Sequence, residues 1–142
     1  MAKLTMFALC DSVNNIPGPQ GMVTHLVAPQ VVLRPMFIPG NFSFGITVGV
    51  RGLDLKNPIK LNFSIISPDG AVAQNSGDTE LPAMVKEDTL PPEHQGVMLN
   101  LDIRNMIIKS EGVYKFVLNV NGENLEEQEI PIFRGYINDE RN

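Results

Sequence analysis

The clearest pattern in the chain is the alternation of apolar and polar residues over Phe42–Arg51. A period of two places every second side chain on the same face of a strand. Three later segments alternate in the same way, so the sequence predicts antiparallel strands with one buried face and one solvated face. The four apolar rows are Phe42, Phe44, Ile46, Val48 and Val50; Ile59, Leu61, Phe63 and Ile65; Val97, Leu99, Leu101 and Ile103; and Tyr114, Phe116, Leu118 and Val120.

Turn residues separate these strands. Ser67-Pro68-Asp69-Gly70 predicts a turn, because proline presets φ and glycine accepts a positive φ. Asn121-Gly122 predicts a two-residue hairpin, whose returning strand should end near Ile130–Phe133. Tyr114, which follows Gly112 near the start of a strand, is compatible with a tyrosine corner. We therefore expect one domain over residues 1–142, an all-β, two-sheet antiparallel sandwich of about seven to nine strands, immunoglobulin-like or jelly-roll-like.

The N-terminal third is less regular. Lys3–Cys10 is apolar on both faces and predicts a first strand. Asn14–Gly21 is rich in Asn, Pro and Gly and predicts a loop. Met22–Ala28 and Val31–Arg34 are expected to be strands, interrupted by Pro29.

Asn75–Gly96 is the one long stretch without alternation. It contains three prolines, and a structureless loop of this length is uncommon in a compact domain. We expect either a short edge strand near Thr79–Val85 or a mobile segment. This should be the least protected part of the chain, with Lys86 as the first tryptic site.

Composition and charge exclude several classes of function. At 43% hydrophobic and 19% charged residues, the 142-residue chain is typical of a globular domain. A net charge of −5, with only 11 Lys and Arg, argues against nucleic acid and anionic membrane surfaces as partners. No apolar run reaches the length of a transmembrane helix, and the N-terminus resembles a strand more than a signal peptide. A single cysteine fits a reducing compartment, so we expect a cytoplasmic protein.

The residues that could carry chemistry form no convincing site. Cys10 beside Asp11 suggests a nucleophile, but a free cysteine in an apolar strand is usually buried and inert. His25 and His94 are the only histidines, and their spacing to Cys10 is not that of a zinc site. We therefore predict no catalytic residue, no metal site and no cofactor. The acidic group Glu123, Glu126, Glu127 and Glu129 is expected to face solvent and to protect an edge strand from aggregation.

One strand has an unusual polar side, formed by the small residues Ser43, Gly45, Thr47 and Gly49. Glycine within a strand often marks a bulge or a close approach of another backbone. The first interpretation is therefore a bulged, twisted strand. The second is a candidate interface, because the strand lacks the charges that guard an edge. That face would be covered either by the N-terminal segment or by a second subunit.

The order of several short motifs resembles a family of small uncharacterised bacterial and phage-borne domains. The motifs span nearly the whole chain, and the resemblance implies a β-sandwich without an assigned activity or catalytic residues. It also leaves the register of the first hairpin open, because such domains often have a shorter turn there. The matching residues are Ala8-Leu9-Cys10-Asp11, Phe37-Ile38-Pro39, Glu111-Gly112-Val113-Tyr114-Lys115-Phe116, Val120-Asn121-Gly122-Glu123 and Ile130-Pro131-Ile132.

The leading functional hypothesis is a non-catalytic interaction module, encoded by a bacterium, phage or mobile element, with a protein partner or a second copy of itself. The alternative is a small-ligand or glycan-binding domain, which a concave apolar pocket with a few convergent polar groups would favour. An uncharacterised hydrolase comes third. A histidine, cysteine or carboxylate pair converging in a cleft would favour it.

Overall fold

The computed structural model describes residues 2–19, 21–83 and 90–135, and it is an antiparallel β-sandwich. Within these residues the chain forms ten strands, slightly more than predicted, because two are short pieces of three and two residues. The strands are β1 (Lys3–Gly18), β2 (Gly21–Gln30), β3 (Gly40–Arg51), β4 (Ile59–Ile66), β5 (Val72–Asn75), β6 (Thr79–Leu81), β7 (Gly96–Ile108), β8 (Gly112–Val120), β9 (Glu123–Asn124) and β10 (Gln128–Ile132).

The strands form two sheets. One has the order β2-β1-β3-β7, and the other has the order β10-β8-β4-β5, with β6 beside β4 and β9 beside β8. All the named pairings are antiparallel. The predicted fold class is therefore confirmed.

The core lies between the two sheets and includes most residues of the four apolar rows that the sequence predicted. Along β4 and β8 buried residues alternate with more exposed ones, whereas β3 is buried on both faces from Phe44 to Val50. Phe116 packs with Phe7 and Phe63, at ring-centroid distances of 5.3 and 5.6 Å. The fully buried large side chains include Phe44, Ile46, Ile59, Ile65, Ile103, Tyr114, Phe116, Ile130 and Ile132.

The turn predictions are confirmed. Gly70 donates its N–H to the Ser67 carbonyl at 2.9 Å. Asn121 and Gly122 have φ values of 51° and 89°, the left-handed conformation expected of this hairpin. The Tyr114 hydroxyl donates to the Ser110 carbonyl at 2.9 Å, which is the hydrogen bond of a tyrosine corner.

The predicted loop at Asn14–Gly21 is wrong. β1 continues to Gly18 and pairs with β2 down to a turn between Gly18 and Gly21. Pro17 is tolerated because this part of β1 pairs only with β2 and leaves its other edge without a ladder. The Asn, Pro and Gly residues that suggested a loop therefore belong to the hairpin of β1 and β2.

The two strands predicted on either side of Pro29 also need correction. β2 runs through Pro29 to Gln30, where Pro29 pairs with Cys10. Residues 31–34 form no strand, and only Leu33 makes an isolated parallel bridge, to Ile132. Pro29 is accommodated because β2 lies at the edge of its sheet.

The irregular stretch after β5 contains the expected short edge strand, β6, and a 3-10 helix at Pro92–His94. Residues 84–89, including the predicted tryptic site Lys86, lie outside the described residues. In the part of the chain that the structure describes, no helix has the length and apolarity needed to cross a membrane.

Candidate interaction surface

β1 is long enough to pair twice. Its first half, up to Cys10, pairs with β3. Its second half no longer pairs with β3 and forms a hairpin with β2. The strand bends after Cys10, and the hairpin of β1 and β2 folds back over the outer face of β3 and β7. A groove of about 330 Å³ between them is lined by Ser12–Asn15 on the hairpin and by Asn100–Asp102 on β7.

Small residues on β3 make this close approach possible. A Cβ placed on Gly45 would lie 3.0 Å from Cys10 Sγ and 3.3 Å from Val13 Cγ2. A Cβ on Gly49 would lie 3.0 Å from Thr5 Oγ1. Such distances are tighter than ordinary contacts in a packed interior, so larger side chains here would push β1 away.

A chain of side-chain hydrogen bonds connects the hairpin to the sheet. Thr47 Oγ1 donates to Asn100 Oδ1 at 3.1 Å, and Asn100 Nδ2 donates to Thr24 Oγ1 at 3.4 Å. Thr24 Oγ1 in turn donates to Asn15 Oδ1 at 3.2 Å. Thr47 is fully buried, and Asn100 satisfies its hydroxyl. These hydrogen bonds therefore link β3 and β7 to both strands of the hairpin.

Two of the four small residues singled out from the sequence contact the hairpin: Gly45 lies beneath Val13, and Thr47 is linked to the hairpin through Asn100. Gly49 lies against Thr5 in the first half of β1. Gly45, Thr47 and Gly49 are buried, and Ser43 is half-buried. The register of β3 against β7 shifts next to Ser43, whose hydroxyl accepts the N–H of Asn105 at 2.9 Å. The structure thus shows a bulge at Ser43 and a close approach at the two glycines, and the cover is this chain's own β1.

The prediction that Phe42–Arg51 is an unguarded edge is wrong. β3 lies inside its sheet, between β1 and β7. The long edge without charge is β2, which pairs with β1 on one side and with no described strand on the other, and its one proline, Pro29, lies near its end. The sequence predicted a strand over Met22–Ala28, within β2, but it gave no indication that this strand lies at the edge of its sheet. The useful signal was the absence of Asp, Glu, Lys and Arg from all ten residues of Gly21–Gln30.

The edges formed by β7, by β10 and by β5 with β6 are guarded, whereas the second half of β1 leaves the side opposite β2 without a ladder. β7 carries Asp102 and Arg104, paired at 2.8 Å and both exposed, and a bulge at Asn105 interrupts its ladder. β10 carries Glu129 and Pro131, and the opposite edge of that sheet consists of the short strands β5 and β6. Charge, proline, bulges and shortness are the devices that keep an edge from pairing. β2 is the long edge that lacks charge.

The solvent face of the hairpin is largely apolar. Thr24 and Leu26 point toward the sheet and are half-buried, whereas Val23, His25 and Val27 alternate with them and are exposed. Val23 and Val27 keep 45% and 36% of their surface accessible. Ile16, the partner of Val23 on β1, keeps 42%. The uncharged edge thus borders an exposed row of branched aliphatic side chains.

The residues considered for chemistry lie in separate places. Cys10 is completely buried where β1 bends, as predicted. Burial, and secondarily the negative charge of Asp11, raise the pKa of its thiol. His25 is exposed on the hairpin, and His94 is exposed in the 3-10 helix. Among the described residues, no three His, Cys, Asp or Glu side chains are grouped to hold a metal ion.

The second sheet also carries polar groups on its outer face. Glu123, Glu126, Glu127 and Glu129 are exposed there, as predicted, and Glu127 lies 3.8 Å from Lys115 Nζ. A groove of about 490 Å³ is bordered by Lys60, Asn62, Asp78, Glu80 and Asn119. Its side chains already bond one another: Asn62 Nδ2 donates to Asp78 Oδ1 at 3.0 Å, and Asn119 Nδ2 donates to Asn124 Oδ1 at 2.8 Å.

These features define a two-sheet antiparallel sandwich with a tyrosine corner and an N-terminal hairpin folded back over one sheet. The chain belongs to DUF6941, a family of unknown function, whose profile matches residues 5–133. Among solved structures, it is similar to an immunoglobulin-like protein from Pseudomonas aeruginosa, at 12% identity and a TM-score of 0.38, over 93% of this chain and 96% of the other. No curated protein matches the chain.

Proposed function

We propose that this chain is a non-catalytic protein-interaction module, and that the outer edge of β2 is its contact surface. The observation that carries the proposal is the outer edge of β2, a ten-residue strand without Asp, Glu, Lys or Arg, which pairs with no described strand and borders exposed Val23 and Val27. An unpaired strand presents a row of N–H and C=O groups, and an extended segment of a partner can extend the sheet by pairing with them.

The rest of the molecule supports an attachment role. Asn100 accepts a hydrogen bond from Thr47 and donates one to Thr24, and these bonds hold the hairpin against the sheet that supports its edge. A prepositioned edge loses less conformational freedom on binding than a mobile segment does. We further propose that the module is cytoplasmic, since a single, buried cysteine fits a reducing compartment, and that a bacterium, phage or mobile element encodes it.

The test is binding of synthetic ten-residue peptides that alternate Val with Thr, Lys or Glu, followed by backbone amide shifts in NMR spectra of the full chain. We expect the neutral Val/Thr peptide to shift amides of β2 in a saturable manner. Val27→Lys should abolish this binding, because a lysine on an edge strand disfavours pairing.

Val72→Lys is the matched control. Val72 is also an exposed valine on an edge strand, in the other sheet, with 60% of its surface accessible. The same new charge there should leave peptide binding unchanged. Peptide shifts confined to β5, β7 or β10, or none with any peptide, would contradict the proposed surface.

A further inference from the structure

We infer that the strand which pairs with β2 is β2 of a second copy, so that the module forms a two-fold dimer with a sheet continuous across both chains. This inference rests on the proposed function and names the partner. A symmetric antiparallel pairing brings the strand against a copy of itself, so it is favoured by a strand without like charges. β2 is such a strand because it has no Asp, Glu, Lys or Arg.

The spacing of residues along β2 suits a two-fold axis. Val23 and Val27 lie two positions on either side of His25, on the same solvent face of the hairpin. In an antiparallel pairing centred on His25, Val23 of one copy lies opposite Val27 of the other. Cross-strand pairs of β-branched side chains are among those that stabilise a sheet. Both exposed valines would therefore find an apolar neighbour in the same register.

Charge also favours a second copy over a basic partner. The chain has a net charge of −5, so a basic partner would be attracted to the molecule as a whole. The contact strand itself, however, offers no carboxylate to pair with a cation. Asp102 lies across the groove from the hairpin, and Glu129 lies near Pro29 and Gln30 at the end of β2. Neither carboxylate borders the middle of β2, where Val23 and Val27 lie. A neutral strand of the same composition matches this edge better.

The test is sedimentation of the wild-type chain over a range of concentrations, together with the Val27→Lys and Val72→Lys variants. We expect a monomer–dimer equilibrium whose Kd rises about tenfold or more with Val27→Lys and stays unchanged with Val72→Lys. Because two acidic chains repel each other and salt screens that repulsion, the Kd of the dimer should fall as the salt concentration rises. Association with a basic partner would weaken under the same change.

A cross-linking experiment tests the register. A cysteine in place of His25 would lie opposite its own copy, so mild oxidation of His25→Cys should produce a covalent dimer. Asn14→Cys is the control, because Asn14 pairs with His25 but lies on the inner strand of the hairpin. It should cross-link much more slowly. Equal rates for the two variants would overturn the register.

The outcomes separate this inference from the proposed function. A chain that stays monomeric at all concentrations, while the Val/Thr peptide still binds at β2, overturns the dimer and leaves the interaction module standing. A dimer that persists unchanged with Val27→Lys uses another surface and overturns the inference. A monomer that binds no peptide overturns both.

Discussion

The Cγ2 atom of Val13 lies above Gly45, 3.3 Å from where a Cβ on that glycine would be. This contact joins the folded-back hairpin to the central strand of its sheet. We expect Gly45→Ala to destabilise the protein by about 1–3 kcal/mol, the usual range for overpacking a core. Chemical denaturation of the variant measures this.

A double-mutant cycle shows whether that loss comes from the hairpin. Val13→Ala removes the methyl that Gly45→Ala would meet, so the double variant should lose less stability than the sum of the two single variants. Cys10 Sγ, at 3.0 Å from the same position, would keep the rescue partial. Strictly additive losses would mean that Val13 does not cover Gly45.

The tyrosine corner makes a second prediction. Tyr114 is buried, and its hydroxyl donates to the Ser110 carbonyl at 2.9 Å. Tyr114→Phe leaves the Ser110 carbonyl without this donor, so the free energy of unfolding should fall by about 1–2 kcal/mol. Ser110→Ala is the control, because the acceptor is the backbone carbonyl and the exposed side chain makes no part of the bond. Equal losses for both variants would rule out the hydrogen bond as the cause.

The hairpin at Asn121-Gly122 makes a third prediction. Gly122 has a φ of 89°, and nothing lies within 4 Å of where its Cβ would be. Gly122→Val should therefore destabilise the protein only through the strain of a positive φ. The free energy of unfolding, measured by thermal unfolding, should fall by about 1 kcal/mol or more. Gly122→Asn should lose less, since asparagine tolerates positive φ. If valine and asparagine have the same melting temperature, the turn does not have this conformation in solution.

Cys10 makes a fourth prediction. Its thiol is buried, and its pKa is raised, first by burial and then by Asp11. We expect a thiol reagent to label it far more slowly in native buffer than in denaturant. Because the folded state favours the protonated thiol, its contribution to stability is complete below the unfolded pKa and is lost as pH rises through the raised folded value. Native labelling as fast as that in denaturant would contradict this burial.

Much of the fold could be predicted from the sequence, because its signals are local. The alternation along β3, β4, β7 and β8 depends only on which face of each strand is buried. Asn121 and Gly122 fix their turn through their own backbone preferences. Tyr114 was recognisable from its place near the start of a strand.

The candidate surface was not predictable in the same way, because it depends on long-range pairing. The small face of β3 indicated a cover, but the fold-back of β1 follows from the contacts of Val13 and Asn100 with distant residues. Which strand lies at an edge is a property of the whole sheet, so β3 appeared unguarded until its two neighbours were known. For the same reason, the strand predicted over Met22–Ala28 was not recognisable as the actual free edge.

Backbone hydrogen exchange of β2 tests the central claim most directly. If the outer edge of β2 is the contact surface, exchange of its outward-facing amides should slow as the concentration of the chain, or of the neutral Val/Thr peptide, is raised. The same amides in Val27→Lys should keep exchanging rapidly, while those of β10 should be unaffected in either protein. Exchange in β2 that does not change with concentration or peptide, with new protection at another sheet edge, would contradict the account.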